Sequence, residues 1–312
     1  MSDFKSYLRQ NGLAKSTVEH YHILAMEFIT FLDRDHTETE HCTEKEILSY
    51  IRLLQARNTI QETIQIKMFA LKHFFNYQIE KGMRDSNPVR NIKIKTHRKQ
   101  NIYPALSSQE LQDLYHSYDT EKPALRNIKN TILYYYQLCR KRNKVILGIL
   151  LYQGVTTAEI KRIQVQDIDI RKGTIDIRGG KIGRDRTLEL KSHQIVDLME
   201  YLYTTRKEFL KCQPEETEIL FLSAPIRGQN KVETEEPLNI FKKILQELKM
   251  HNPKLINLQQ IRVSVIVNWL KKYNLRQVQY KAGHRNIYST ESYLKNDAQE
   301  LQAEIDKYHP LG

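Results

Sequence analysis

Up to residue 91 the apolar residues recur every three or four positions. Tyr21, Ala25, Phe28, Ile29 and Leu32 form one such series, and Ile64, Met68, Leu71, Phe75 and Ile79 form another. That spacing places each series on one face of an α-helix and predicts helices that share a core. Start signals stand where the helices need them. Ser16-Thr-Val-Glu19, Thr43-Glu-Lys-Glu46 and Thr59-Ile-Gln-Glu62 each fit the capping box, in which a hydroxyl and a carboxylate satisfy the first free amides. Gly82 is placed to stop the last of these helices, and Asn87-Pro88 breaks any continuation. Residues 1–91 are therefore expected to form a helical domain.

The pattern lapses between residues 92 and 103, where Lys93, Lys95, His97, Arg98 and Lys99 crowd a stretch without helical period, closed by Pro104. This is a basic connector, either a solvated tether or a strap along a phosphate backbone. From 104 to 312 the helical pattern returns. Ser107-Ser-Gln-Glu110 is another capping box, and a long helix is predicted from about 131 to 153, with Tyr134, Tyr135 and Tyr136 as packing residues. The period then changes to two. Strands are predicted at Ile163–Ile170, Thr174–Ile177 and Arg186–Leu190, with turns at Arg171-Lys-Gly173 and Gly179-Gly180. Helices follow at roughly 193–210, 238–248, 258–273 and 275–282. The expected fold class is mainly α with a small antiparallel β-sheet (α+β), in two domains.

Charge narrows the partners. Forty-nine Lys and Arg against 37 Asp and Glu give +12, which favours a polyanion, nucleic acid first. Cys42, Cys139 and Cys212 are odd in number and widely spaced, arguing against a disulfide framework or a zinc site and for a reducing compartment. Neither a signal peptide nor an apolar run of membrane-spanning length is evident, so a cytoplasmic, nucleoid-associated location is expected.

The stretch Ala282-Gly-His-Arg-Asn-Ile-Tyr-Ser-Thr-Glu-Ser-Tyr293 sets His284 and Tyr293 nine residues apart with little core material between them. Upstream, in order, stand Asn87-Pro88-Val89, the basic connector, Gly154-x4-Glu159, Lys181 in the sheet turn Gly179-Gly-Lys-Ile-Gly, and Arg262 in Leu258-Gln-Gln-Ile-Arg262. In that order and spacing, over nearly the whole chain, the sequence resembles the tyrosine recombinases, or phage-type integrases. The resemblance implies a helical SAM-like core-binding domain, a catalytic domain, and DNA strand exchange through a 3′-phosphotyrosyl intermediate without metal or cofactor. It implies Tyr293 as nucleophile, Arg262 and His284 as phosphate ligands, and Lys181 as proton donor to the leaving 5′-oxygen. Such chemistry requires a nucleophile, donors for the non-bridging oxygens and a general acid. Lys93, Lys95, Arg98 and Lys99, with Arg186 and Arg285 beside the site, are expected DNA contacts.

Two positions depart from the family pattern. Thr156 stands where Gly-x-Arg-x-x-Glu has its arginine, and Gln259 where His-x-x-Arg has its histidine. Both offer neutral hydrogen bonds in place of charge, and loss of one oxyanion donor costs about 10²- to 10³-fold in rate. Arg140, Arg142 and Arg162 are candidates to fill the gap. Two readings stay open: a site-specific recombinase, or a catalytically silent DNA-binding partner of an active one. The resemblance also implies assembly as a homo- or hetero-tetramer on double-stranded DNA through the amphipathic tail at 297–305.

Overall fold

The structure is a computed structural model that describes residues 2–34, 36–94, 103–121, 130–180, 183–225 and 237–294. Lys95, Arg98, Lys99, Lys181 and the expected tail helix at 297–305 lie outside the described residues. The chain divides into two compact units, 1–100 and 101–312.

The first unit holds α1 (Ser2–Gln10), α2 (Lys15–Asp33), α3 (Glu44–Ala56) and α4 (Gln61–Glu80). Both predicted apolar faces turn inward: Ala25, Phe28 and Leu32 of α2 meet Ile64, Leu71 and Phe75 of α4 in one core. The chain leaving α4 keeps to this core through Val89, Ile92 and Ile94. Gly82 adopts φ 69°, the left-handed conformation that ends α4. The capping box at Thr43 and Glu46 forms, but those at Ser16 and Thr59 do not. Helix α2 begins after Ala14 and α4 after Ile60, neither with a side-chain cap. Ser16 thus falls inside its helix and Thr59 one residue before the cap, where neither hydroxyl can reach the free amides.

The second unit is helical around a three-stranded antiparallel sheet. Its helices are α5 (Ser108–Ser117), α6 (Asn130–Gln153), α7 (Thr157–Ile160), α8 (Ser192–Glu200), α9 (Arg206–Leu210), α10 (Pro237–His251), α11 (Leu258–Leu270) and α12 (Leu275–Ala282). The strands β1 (Ile168–Asp169), β2 (Thr174–Ile177) and β3 (Arg186–Glu189) lie in the order β1-β2-β3, with Ile175 opposite Leu188 and Ile177 opposite Arg186. Leu147 and Leu151 of α6, Ile261 and Val265 of α11, and Ile175 and Leu188 of the sheet share one core.

The first strand is much shorter than its alternating pattern predicts. Asp167 accepts the Gln164 amide at 2.8 Å, and residues 165–167 close into a 3₁₀ turn. The residues before the turn pair elsewhere: Val165 N–H donates to the Glu218 carbonyl and Leu220 N–H to the Ile163 carbonyl. Between α8 and α9 the helical path widens into a π turn over Tyr201–Thr205.

Candidate active site

Three of the four predicted catalytic residues converge, and each has a local reason to be where it is. Arg262 lies in the second turn of α11, a helix started by Asn257, whose side chain accepts the Gln260 amide at 2.9 Å. It is largely buried, and its guanidinium donates to the carbonyls of Gly154, at 2.5 Å, and Ala282, at 2.7 Å. Two neutral carbonyls therefore aim a charged group. Burial holds the Arg262 guanidinium below the usual arginine range, opposed by the Glu159 carboxylate and the Tyr293 oxygen beside it.

His284 follows the left-handed Gly283 (φ 70°), which ends α12 and lets the His284 amide cap the Gln279 carbonyl at 3.1 Å. Its Nε2 lies 3.3 Å from Arg262 Nη2, and its Nδ1 2.9 Å from Thr290 Oγ1. Arginine only donates, so Nε2 is the acceptor, and Nδ1 carries the proton it gives to Thr290. Burial, then the charges of Arg262 and Arg186, push the His284 pKa down to about 4, so the imidazole is neutral near pH 7. Residues 288–294 turn back as a helix. That turn brings the Tyr293 ring parallel to His284, with centroids 5.7 Å apart and 16° between planes. Thr290 is fully buried on the same turn.

The turn expected to carry Lys181 is tied to this segment. Gly183 and His284 form an antiparallel bridge, and Arg184 N–H donates to the Gly283 carbonyl at 2.9 Å. Arg285 reaches across the turn, donating from Nε to the Gly183 carbonyl at 3.0 Å and from Nη2 to the Gly180 carbonyl at 3.4 Å. It is exposed, as is Lys93 in the first unit.

The divergent positions differ in what they can offer. Thr156 is the N-cap of α7: its hydroxyl accepts the Glu159 amide at 3.2 Å and lies 2.9 Å from Glu159 Oε2. That hydroxyl is committed to the helix start. Gln259 is exposed one turn before Arg262 and, at i, i+3 spacing, on the same face of α11. Its neighbour Gln260 is fully buried and bonds the Pro104 and Lys254 carbonyls.

Arg186, expected as a DNA contact, is the main correction. Its side chain is 0% exposed, and its Nη1 pairs with Glu159 at 2.7 Å while Nε donates to the Lys281 carbonyl at 2.8 Å. The alternation that makes β3 a strand explains this: Arg186 and Leu188 face inward, Thr187 and Glu189 outward. Among the described residues Arg186 Nη2 has no hydrogen-bond partner. The candidate substitutes for the missing arginine are occupied elsewhere. Arg140 makes a two-pronged pair with Glu247 on α10, at 2.7 and 2.9 Å. Arg142, also buried, donates to the Leu222 carbonyl at 2.8 Å. Arg162 lies over Gly180 and donates from Nη2 to the Arg178 carbonyl at 3.3 Å.

The order of these elements along the chain matches a known family. Residues 105–300 match the phage integrase family, and residues 1–85 match the phage integrase N-terminal SAM-like domain. The chain belongs to the phage integrase family of tyrosine recombinases. Among its curated relatives, tyrosine recombinase XerA of Pyrococcus furiosus is 23% identical, across 100% of this chain and 94% of XerA. The TnP I resolvase of Bacillus thuringiensis is 24% identical, across 97% of each. Among solved structures, XerH recombinase in a pre-cleavage complex with its difH substrate superposes with a TM-score of 0.65 at 17% identity, covering 95% of this chain and 83% of XerH. A lambda integrase tetramer bound to a Holliday junction gives 0.59 at 13%, covering 94% and 75%. These likenesses bear on the fold; Arg262, His284 and Tyr293 make up the candidate site, with Glu159 and Arg186 behind it.

Proposed function

We propose that this integrase-family chain is a site-specific DNA recombinase that cuts and rejoins DNA through a 3′-phosphotyrosyl link at Tyr293. The observation that carries the proposal is the stacking of Tyr293 on His284 beside Arg262 within one chain. In the cleavage step the Tyr293 oxygen attacks phosphorus, releasing its proton to solvent, as the P–O5′ bond breaks. The departing 5′-oxygen takes up a proton, for which Lys181 is the expected donor. Arg262 neutralises charge gathering on the non-bridging oxygens, and Gln259, exposed one turn away, adds a neutral donor. A neutral His284 joins them as donor once a phosphate displaces its contact with Arg262. Thr290 permits this, because a hydroxyl can donate to Nδ1 as readily as accept from it, leaving Nε2 to carry the proton. Rejoining runs the same steps backwards with a 5′-hydroxyl as nucleophile.

Phosphate contacts dominate DNA affinity in this reading, and Lys93 and Arg285 are the described cations offered for them. The lambda integrase tetramer bound to a Holliday junction supports assembly of this chain on DNA as a tetramer. A second reading is a silent DNA-binding partner of an active recombinase. It is favoured by Thr156, whose hydroxyl is taken up by the helix cap in place of a phosphate-binding arginine.

Nicked suicide duplexes carrying candidate recombination sites separate the two. A denaturation-resistant protein–DNA adduct that disappears in Tyr293→Phe is expected. A clear gel shift on the same DNA with no adduct would leave the silent partner.

A further inference from the structure

A buried carboxylate between two guanidiniums must be shared or assigned, and here the packing assigns it. Glu159 Oε1 lies 2.7 Å from Arg186 Nη1, whereas its Oε2 is 3.9 Å from Arg262 Nη1. Oε2 is engaged by the Thr156 amide at 2.7 Å and the Thr156 hydroxyl at 2.9 Å. The carboxylate is thus fastened to α7 and to β3, short of α11. Burial pushes the Glu159 pKa up, but the Arg186 hydrogen bond and charge outweigh it and hold the carboxyl below the usual range, ionised at neutral pH.

Arg186 is fixed in turn. Nε donates to the Lys281 carbonyl, and its guanidinium packs on Gly283, where a Cβ would come within 2.5 Å of Nη1. Arg262 receives no close anion from the protein among the described residues; its short bonds go to two carbonyls. If Arg186 were absent, the only guanidinium within 4 Å of Glu159 among the described residues would be that of Arg262, and the ion pair would close there.

We propose that Arg186 is a positioning residue that holds Glu159 away from Arg262, so that Arg262 meets the scissile phosphate with its charge uncompensated. The inference rests on the recombinase reading and deepens it. With threonine at 156, Arg262 is the guanidinium that faces both His284 and Tyr293, and a carboxylate paired to it would neutralise the cation the phosphate requires. Arg186 touches no substrate in this account; it acts through Glu159.

The test is a double-substitution cycle on adduct formation, in single turnover with a nicked suicide duplex and saturating full-length protein. Arg186→Gln is expected to slow the reaction about 10- to 100-fold in the wild-type background. In the Glu159→Gln background the same change costs less than about 3-fold, because the carboxylate it restrains is gone. Equal slowing in both backgrounds overturns the proposal. Should Arg186→Gln, which leaves a buried carboxylate with a weakened partner set, fail to fold, the Glu159→Gln pair of proteins decides, with more than tenfold slowing of the double variant counting against. A methylphosphonate at the scissile position removes the oxygen charge that Arg262 would neutralise. On it the Arg186→Gln defect should shrink at least about tenfold, an effect that loosened packing does not produce; an undiminished defect overturns the proposal. Absence of any wild-type adduct removes the recombinase reading and this proposal with it, whereas wild-type cleavage with equal slowing removes the proposal alone.

Discussion

Thr290→Val tests how the His284 ring is held. Valine keeps the shape of threonine and deletes the hydroxyl that receives Nδ1–H at 2.9 Å. Thr290 is fully buried, so Nδ1, donor in the free protein and acceptor during cleavage, is left without its partner and water has no direct route to replace it. An orphaned buried polar group costs about 1–3 kcal/mol. If that loss falls on the orientation of His284 during cleavage, the rate drops about 5- to 150-fold, since each 1.36 kcal/mol is a factor of ten. Part of it will also appear as stability, lowering the melting temperature of a unit this size by about 2–4 °C per kcal/mol. The assay is adduct formation at saturating protein, with the folded fraction measured by circular dichroism at the reaction temperature. Thr290→Ser, which keeps the hydroxyl, should stay within about 3-fold of wild type. A folded valine variant that cleaves at the wild-type rate would refute the reasoning, as would a serine variant as slow as valine.

Two further outcomes follow from the same geometry. His284 in the free protein is pushed down to about 4, by burial first and then by Arg262 and Arg186, whereas an unfolded histidine titrates near 6.5. The folded state therefore favours the neutral ring. Its contribution to stability is complete above about pH 6.5 and is lost as the pH falls toward 4. The His284 ring proton signal should hold steady from pH 8 to 5.5, and a midpoint between 6 and 7 would contradict the assigned burial. Gly283→Ala should destabilise the second unit by about 1–3 kcal/mol, because a left-handed alanine is strained and its Cβ would lie 2.5 Å from Arg186 Nη1. Thermal melting reads this directly, and an unchanged midpoint would mean that Arg186 can move freely.

Helix identity was legible wherever a periodic apolar face coincided with burial. The α2 and α4 faces packed as their spacing requires, and α12 runs over the predicted 275–282. Caps were less legible. A hydroxyl three residues before a glutamate fits the box at Ser16 and Thr59, but the backbone enters those helices at a different residue. The strand predicted from 163 was truncated because residues 163–165 found partners at 218–220, a pairing across more than fifty positions that no local pattern records. Arg186 reads as a DNA contact from its place beside the site, although inward alternation with Leu188 is available as a signal.

Order along the chain was sufficient to point to the family, because the motifs that carry the resemblance stand in one fixed sequence: lysine in a sheet turn, arginine on a helix, Gly-His, then tyrosine. Substitution of threonine at 156 and glutamine at 259 was likewise visible from the sequence alone. Only the tertiary structure decided what those substitutions leave behind: a threonine hydroxyl spent on a helix cap, a glutamate held by Arg186 from a distant strand, and a histidine whose Nε2 faces Arg262 while its Nδ1 meets a buried threonine. The reason is physical. Side-chain identity is a property of one position, whereas charge compensation and proton placement depend on which groups burial brings within hydrogen-bonding distance, and here those groups come from α7, β3, α11 and the segment after α12.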